Sequence, residues 1–314
     1  MRQEIIVGSR ESSLALWQAQ WVVEQLKKDH PEYHFRIAGR KTKGDQILNP
    51  PLARIGEQGL FTKELENALR AGEYDLVVHS MKDLPVRLPE GLAIGAICRR
   101  EDPRDVLICK RGLTLQELPP GTRLGTSSLR RRAQLLRFRA DLKIGDIRGN
   151  LTTRLRKLSS GEELDGLVVA YAGVRRLGIE KAITQKIPFS ICLPAAGQGS
   201  LVVEVKESDA EIRQLVAGLD DPGAHAAITA ERAFLRRLEG GCQVPVGVLG
   251  EVKSGHLQLA GIVLTLDGRR SVRESVRGRV DQAVALGEKL AGWMLERGAG
   301  EILEQVRRRF GEGL

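Results

Sequence analysis

Apolar positions along the chain follow two periods, and their order predicts the architecture. Residues 4–8 (EIIVG) form a short continuous apolar run that reads as a buried strand. Residues 14–28 carry apolar side chains at helical spacing, with Ser12 or Ser13 as N-cap and Trp17, Trp21 and Val22 or Leu26 as the stripe expected in the core. A second strand is expected near 34–38. Residues 50–59 are rich in turn formers and read as a long mobile loop. Residues 61–71 then read as an amphipathic helix and 74–79 (YDLVVH) as another buried strand, with Asp83 just beyond its C-terminal end.

After residues 99–103 (RREDP) the pattern restarts. Residues 105–109 are a strand, and two similar strand–turn–helix units follow. One runs through Thr126, Ser127, Ser128, Arg130 and Arg131, the other through Arg148, Asn150 and Arg154. Residues 166–170 (GLVVA) are a third strand. The segment 194–199 (PAAGQG) reads as a hinge, and 200–205 as a strand able to return to the first sheet. Beyond Asp221-Pro222 come a helix over 223–238, two alternating segments joined at Asp267-Gly268, which signals a hairpin, and a helical tail. The expected fold is α/β: two doubly wound lobes with mostly parallel sheets, plus a small α+β C-terminal domain. The first lobe takes residues 1–99 with 200–218, the second 104–193, and the C-terminal domain 222–314.

At 314 residues, 42% of them hydrophobic, the chain can bury two or three cores. No stretch is apolar enough to span a bilayer, and Met1-Arg2-Gln3-Glu4 leads into a strand rather than a signal peptide, so no membrane role is expected. Cys98, Cys109, Cys192 and Cys242 form no CxxC, and the five histidines no HxxxH, which argues against a metal and for a reducing cytoplasm. The formal charge of +9 calls for an anionic partner. An aromatic content of 4% argues against the stacking platforms of single-strand binders, and arginines placed at turns favour a small anion over nucleic acid.

Three features carry candidate chemistry. The two strand–turn–helix units set hydroxyls and guanidiniums at helix N-termini, an arrangement that cradles carboxylates or phosphates. Solvated basic helix faces account fairly for Arg132, Arg137 and Arg139, but less well for the clustering of Thr126, Ser127, Ser128, Arg130 and Arg131 at the first turn. No Walker pattern exists, and Gly197-Gln198-Gly199 fails as a dinucleotide motif because Val202 holds the third glycine position. Lys82-Asp83 at a strand end offers an acid/base pair or a simple surface turn. Cys242, between a glycine pair and Val244-Pro245, reads as a thiol presented on a loop or as a small buried hydrophobe. Together a thiol, one carboxylate and many arginines suggest covalent tethering of a polycarboxylate. An anion-binding protein without catalysis would need the arginines but neither Asp83 nor Cys242, and a nucleic-acid binder would lose affinity steeply with salt.

The segments LALWQAQ (14–20), TKGD (42–45), GLFTKELE (59–66), HSMKDLP (79–85), GTSSLRR (125–131), RGNLTTRL (148–155), PAAGQG (194–199) and GGCQVPVG (240–247) bring a family into view. In this order they resemble porphobilinogen deaminase (hydroxymethylbilane synthase) from end to end. The resemblance implies two lobes like those of periplasmic binding proteins and a third domain carrying the cysteine. It further implies a dipyrromethane cofactor bound to Cys242 through a thioether. Four porphobilinogen molecules would be joined with loss of ammonia, and hydroxymethylbilane released by water, in tetrapyrrole and haem biosynthesis. Carried over by position, Asp83 is the catalytic carboxylate. Arg10, Ser12, Lys82, Thr126, Ser127, Ser128, Arg130, Arg131, Arg148 and Arg154 would bind the cofactor and substrate, with Gln198 near the inter-domain cleft. The implied protein is a cytoplasmic transferase acting as a monomer, with porphobilinogen as its partner and no nucleic acid. Gln58 stands where the family pattern suggests a basic loop residue, and Glu11 beside Arg10 trims the local positive field.

Overall fold

The computed structural model describes residues 2–42, 44, 62–161, 163–238 and 244–311. The loop expected at 50–59, with Gln58, and the thiol of Cys242 lie outside these residues. Two compact units emerge. The first combines the N-terminal segment, the stretch ending at Glu101, and Gly199–His225; the second combines Asp102–Gln198 with the chain from Ala226 onward.

In the first unit, β1 (Glu4–Arg10) leads into α1 (Ser13–Asp29), β2 (His34–Arg40), α2 (Lys63–Ala71), β3 (Leu76–Ser80) and β4 (Leu92–Ile97). Ser12 is the N-cap of α1, its side chain accepting from the Ala15 N–H at 3.3 Å. Ala19, Val22, Val23 and Leu26 form the buried face of α1. Trp17 departs from the expected stripe and is 39% exposed, because it lies about 140° around the helix from Val22. The sheet order is β2-β1-β3-β10-β4: β10 (Leu201–Lys206), followed by α6 (Ala210–Val216), indeed returns to the first sheet, between β3 and β4.

The second unit repeats that plan. Its elements are β5 (Asp105–Cys109), β6 (Arg123–Gly125), α3 (Leu129–Phe138), β7 (Lys143–Gly145), α4 (Leu151–Ser159), β8 (Gly166–Ala170), α5 (Tyr171–Arg176) and β9 (Gln185–Lys186), in sheet order β7-β6-β8-β5-β9. The sheets are more mixed than expected. Strand β1 is parallel to β2 and β3, and β6 to β7 and β8, whereas β10 and β5 run antiparallel to both their neighbours. Each is the first strand after the chain changes unit, so no crossover helix precedes it to restore a parallel sense.

The C-terminal region packs α7 (Pro222–Arg237), α8 (Ala283–Met294) and α9 (Gly300–Gly311) on a three-stranded antiparallel sheet of β11 (Val246–Lys253), β12 (His256–Leu264) and β13 (Ser271–Arg279). The hairpin expected at Asp267-Gly268 joins β12 to β13, Gly268 taking φ 72°. Val248 N–H donates to the Pro194 carbonyl at 2.9 Å, and an added Cβ on Gly247 would lie 2.9 Å from Leu193, so this region is fastened to the segment that closes the second sheet. Among the described residues no helix is long and apolar enough to cross a membrane.

Candidate active site

The candidate residues sit where an open α/β sheet offers its functional edge, just past the carboxyl ends of parallel strands. In the first unit Arg10 is the last residue of β1. Lys82 and Asp83 occupy a single 3-10 turn, Met81–Asp83, directly after β3. Two buried apolar side chains, Met81 and Leu84, bracket the turn, and the Met81 N–H donates to the Ser200 carbonyl at 3.0 Å. Lys82 and Asp83 are left half-buried on this pinned support. Ser12 spends its hydroxyl capping α1. Just inside the strand end lies a buried pair, His79 Nε2 to Glu204 Oε2 at 3.0 Å.

In the second unit the hydroxyl cluster builds the mouth of α3. Thr126 is buried, and its oxygen accepts from the Ser128 N–H at 3.3 Å. Ser128 is the N-cap, accepting from the Arg131 N–H at 3.4 Å. Ser127 donates to the Ile147 carbonyl at 2.8 Å and accepts from the Ile147 N–H at 3.0 Å. That hydroxyl therefore ties the first strand–turn–helix unit to the second, immediately before Arg148. Gly149 must be glycine: its φ is 106°, and an added Cβ would sit 2.7 Å from Thr153. Asn150 then caps α4, and Arg154 Nε donates to the Gly149 carbonyl at 2.8 Å. Burial pulls the half-buried Arg148 guanidinium below its ordinary range, with Asp146 acting in the opposite sense.

Arg130 and Arg131 are buried rather than splayed into solvent, and both converge on Asp105, which is fully buried. Arg130 Nη1 donates to Asp105 Oδ2 at 2.7 Å and to the Leu193 carbonyl at 2.6 Å. Arg131 Nε and Nη2 donate to Asp105 Oδ1 at 3.0 and 2.8 Å, and its Nη1 to the Val168 carbonyl at 3.2 Å. Gln198 joins them, donating to Asp105 Oδ1 at 3.0 Å and to the Pro103 carbonyl at 2.7 Å. Burial alone would raise the Asp105 carboxyl, but the two guanidiniums outweigh it and hold the group far below the usual carboxylate range. Asp105 opens an apolar strand, and sequence reasoning missed it; an acid directly before VLIC, facing a run of three arginines, was the available signal.

The same cluster holds Cys192, whose thiol lies 3.4 Å from Asp105 Oδ2. Burial, reinforced by that carboxylate, pushes it up to about 12, so it stays a thiol at neutral pH. Two cations against one anion leave one positive charge in a buried setting. Arg130 Nε has no hydrogen-bond partner among the described residues. That donor set, with hydroxyls and a helix N-terminus beside it, suits a carboxylate-bearing ligand.

These observations define a class: a two-lobed α/β protein with an arginine-rich strand edge and a small C-terminal sheet domain. Residues 5–214 match the family described as "Porphobilinogen deaminase, dipyromethane cofactor binding domain", and residues 225–296 match "Porphobilinogen deaminase, C-terminal domain". The chain is 57% identical over 308 residues to the porphobilinogen deaminase of Pelotomaculum thermopropionicum, covering 98% of each chain. It is 53% identical over 312 residues to that of Carboxydothermus hydrogenoformans, covering 99% of this chain and 100% of the other. Among solved structures, the periplasmic aliphatic sulphonate binding protein SsuA from Escherichia coli aligns at 13% identity over 95% of this chain and 88% of that one, with a TM-score of 0.43. The chain belongs to the porphobilinogen deaminase family, with the dipyrromethane cofactor and the place in porphyrin biosynthesis that this membership carries.

Proposed function

We propose that the chain is a cytoplasmic, monomeric transferase that joins four porphobilinogen molecules head to tail on a dipyrromethane held by Cys242. It releases hydroxymethylbilane by hydrolysis and thereby feeds haem-type tetrapyrrole synthesis. The observation that carries this reading is the buried pair of guanidiniums neutralised by a single carboxylate, which leaves a fixed positive charge for a ligand's acetate or propionate. When bound, the cofactor would supply the free pyrrole carbon to which the first unit is joined. Arg10, Lys82, Arg148 and Arg154 hold side-chain carboxylates, and Arg130 and Arg131 supply the fixed charge. Ser127 and Gln198 brace that set, while Thr126 and Ser128 shape the helix N-terminus. The Asp83 carboxylate offsets positive charge forming on the substrate as its amine leaves as ammonia, and an oxygen of the same carboxylate takes up a proton. The buried Cys98, Cys109 and Cys192, which form no disulfide among the described residues, suit a reducing compartment.

Arg148→Leu tests the reading most cleanly, because Arg148 does not share the Asp105 network. A charge-assisted hydrogen bond contributes roughly 1.5–3 kcal/mol, so its loss slows one elongation step about ten- to a hundredfold. Enzyme–intermediate species separated by mass should accumulate at one chain length. A ladder identical to wild type would overturn the assignment, and Arg148→Lys should rescue only partly.

A further inference from the structure

The first unit contains a titratable cluster that the proposed chemistry does not use. Glu66 faces inward from α2 among Leu65, Ala68 and Leu69 and is 5% exposed. Glu204, on the central antiparallel strand, is fully buried, and one of its oxygens is taken by His79. Because Val202 pairs with His79 and Glu204 with Val77, His79 and Glu204 share one face of the sheet. Glu66 Oε1 and Glu204 Oε1 are both buried without a hydrogen-bond partner. Such orphans are costly, and two ionised carboxylates in one apolar setting compound the cost. The charged groups facing Glu66 are Glu64 on its own helix, His79 on β3 and Glu204 on β10. Lys206, further along β10, reaches Gly72 at the opposite end of α2.

We propose that Glu66 is carried as a neutral carboxylic acid and that, with Glu204 and His79, it forms a buried clamp positioning the end of β3 and hence the Asp83 turn. A proton on Glu66 turns one orphan acceptor into a donor, so the two carboxyl groups satisfy rather than repel each other. His79 Nε2 keeps its 3.0 Å contact with the other Glu204 oxygen. The clamp joins α2, β10 and β3 two residues before Met81–Asp83. Burial, with the Glu204 charge adding to it, pushes the Glu66 carboxyl up, in line with this arrangement. Since the folded value lies above the unfolded one, the stability contributed is present at low pH and is lost as pH rises through the folded value.

Glu66→Gln keeps the shape and removes the proton, so the test compares it with wild type in three readouts. The infrared spectrum should lose one protonated-carboxyl carbonyl band. Melting temperature of wild type relative to E66Q should fall as pH rises above about 5, by roughly 2 °C per unit at most. The kcat of E66Q should lie within about twofold of wild type at mildly acid pH and should lack whatever alkaline decline wild type shows, with KM unchanged. No band lost, or an E66Q protein that fails to fold, would overturn the neutral acid. A band lost with identical pH profiles of kcat would overturn the positioning role. The kinetic arm rests on Asp83 being the catalytic carboxylate, and failure of that reading shows separately as near-normal turnover in Asp83→Asn; the infrared arm is independent of it.

Discussion

Asp105 accepts from Arg130, Arg131 and Gln198, and so joins four polar side chains into one rigid body. Removing it would leave two buried cations with no anion, so Asp105→Asn should destabilise the protein by about 3–5 kcal/mol in denaturant unfolding. The Asp105 carboxyl is depressed in the folded state, so its contribution is present above about pH 4 and lost as pH falls through the folded value. The asparagine variant should accordingly show a flatter acid limb in its stability–pH curve. Arg130 and Arg131 were picked out in the sequence as candidate ligand-binding residues, but their burial on Asp105 was not foreseen, because an acid 25 residues upstream cannot be paired with them by spacing. The Cys192 thiol should resist alkylation at pH 8 in the native protein and react only on unfolding, as mass after iodoacetamide treatment would show. Asp83 was singled out by its position after an apolar strand, and it does lie in the turn directly after β3. Asp83→Asn should keep the fold and lower kcat by on the order of 10²–10³, with little change in binding.

At the scale of elements, the strands and helices that flank the candidate residues followed from periodicity. Residues 105–109 and 166–170 form strands as expected, and the Asp-Gly hairpin falls between the expected segments. Strand β4 was missed because LAIGAI lacks alternation, and the antiparallel sense of β5 and β10 is a property of chain path that no local pattern encodes. Arg139 was read as part of a solvated basic face, yet its guanidinium donates to the carbonyls of Leu115, Gln116 and Leu118 and to Asp141, closing the C-terminal end of α3. The hairpin turn meets α3 from outside: an added Cβ on Gly268 would lie 2.4 Å from the Ala133 carbonyl and 2.6 Å from Arg137 N. Since φ there is positive as well, Gly268→Ala should cost about 1–3 kcal/mol and, by shifting α3, should lower cofactor content in intact-mass spectra. A loss of stability with full cofactor content would show that the hairpin supports the fold without setting the arginines.

For the whole molecule, family membership rests on matches covering both residues 5–214 and 225–296, and the residues described above supply the physical content. The net charge of +9 is not spread evenly in effect, since much of the second unit's arginine charge is neutralised in Asp105 and in surface pairs such as Arg104–Asp102 and Arg139–Asp141. The proposed function requires that a ligand with several carboxylates be built onto the protein itself. Intact-mass measurement with peptide mapping of the purified chain tests this directly. An excess of two linked pyrrole units is expected, all of it on the peptide containing Cys242, with Cys98, Cys109 and Cys192 unmodified. Protein that turns over porphobilinogen while its Cys242 peptide has the bare sequence mass would contradict it.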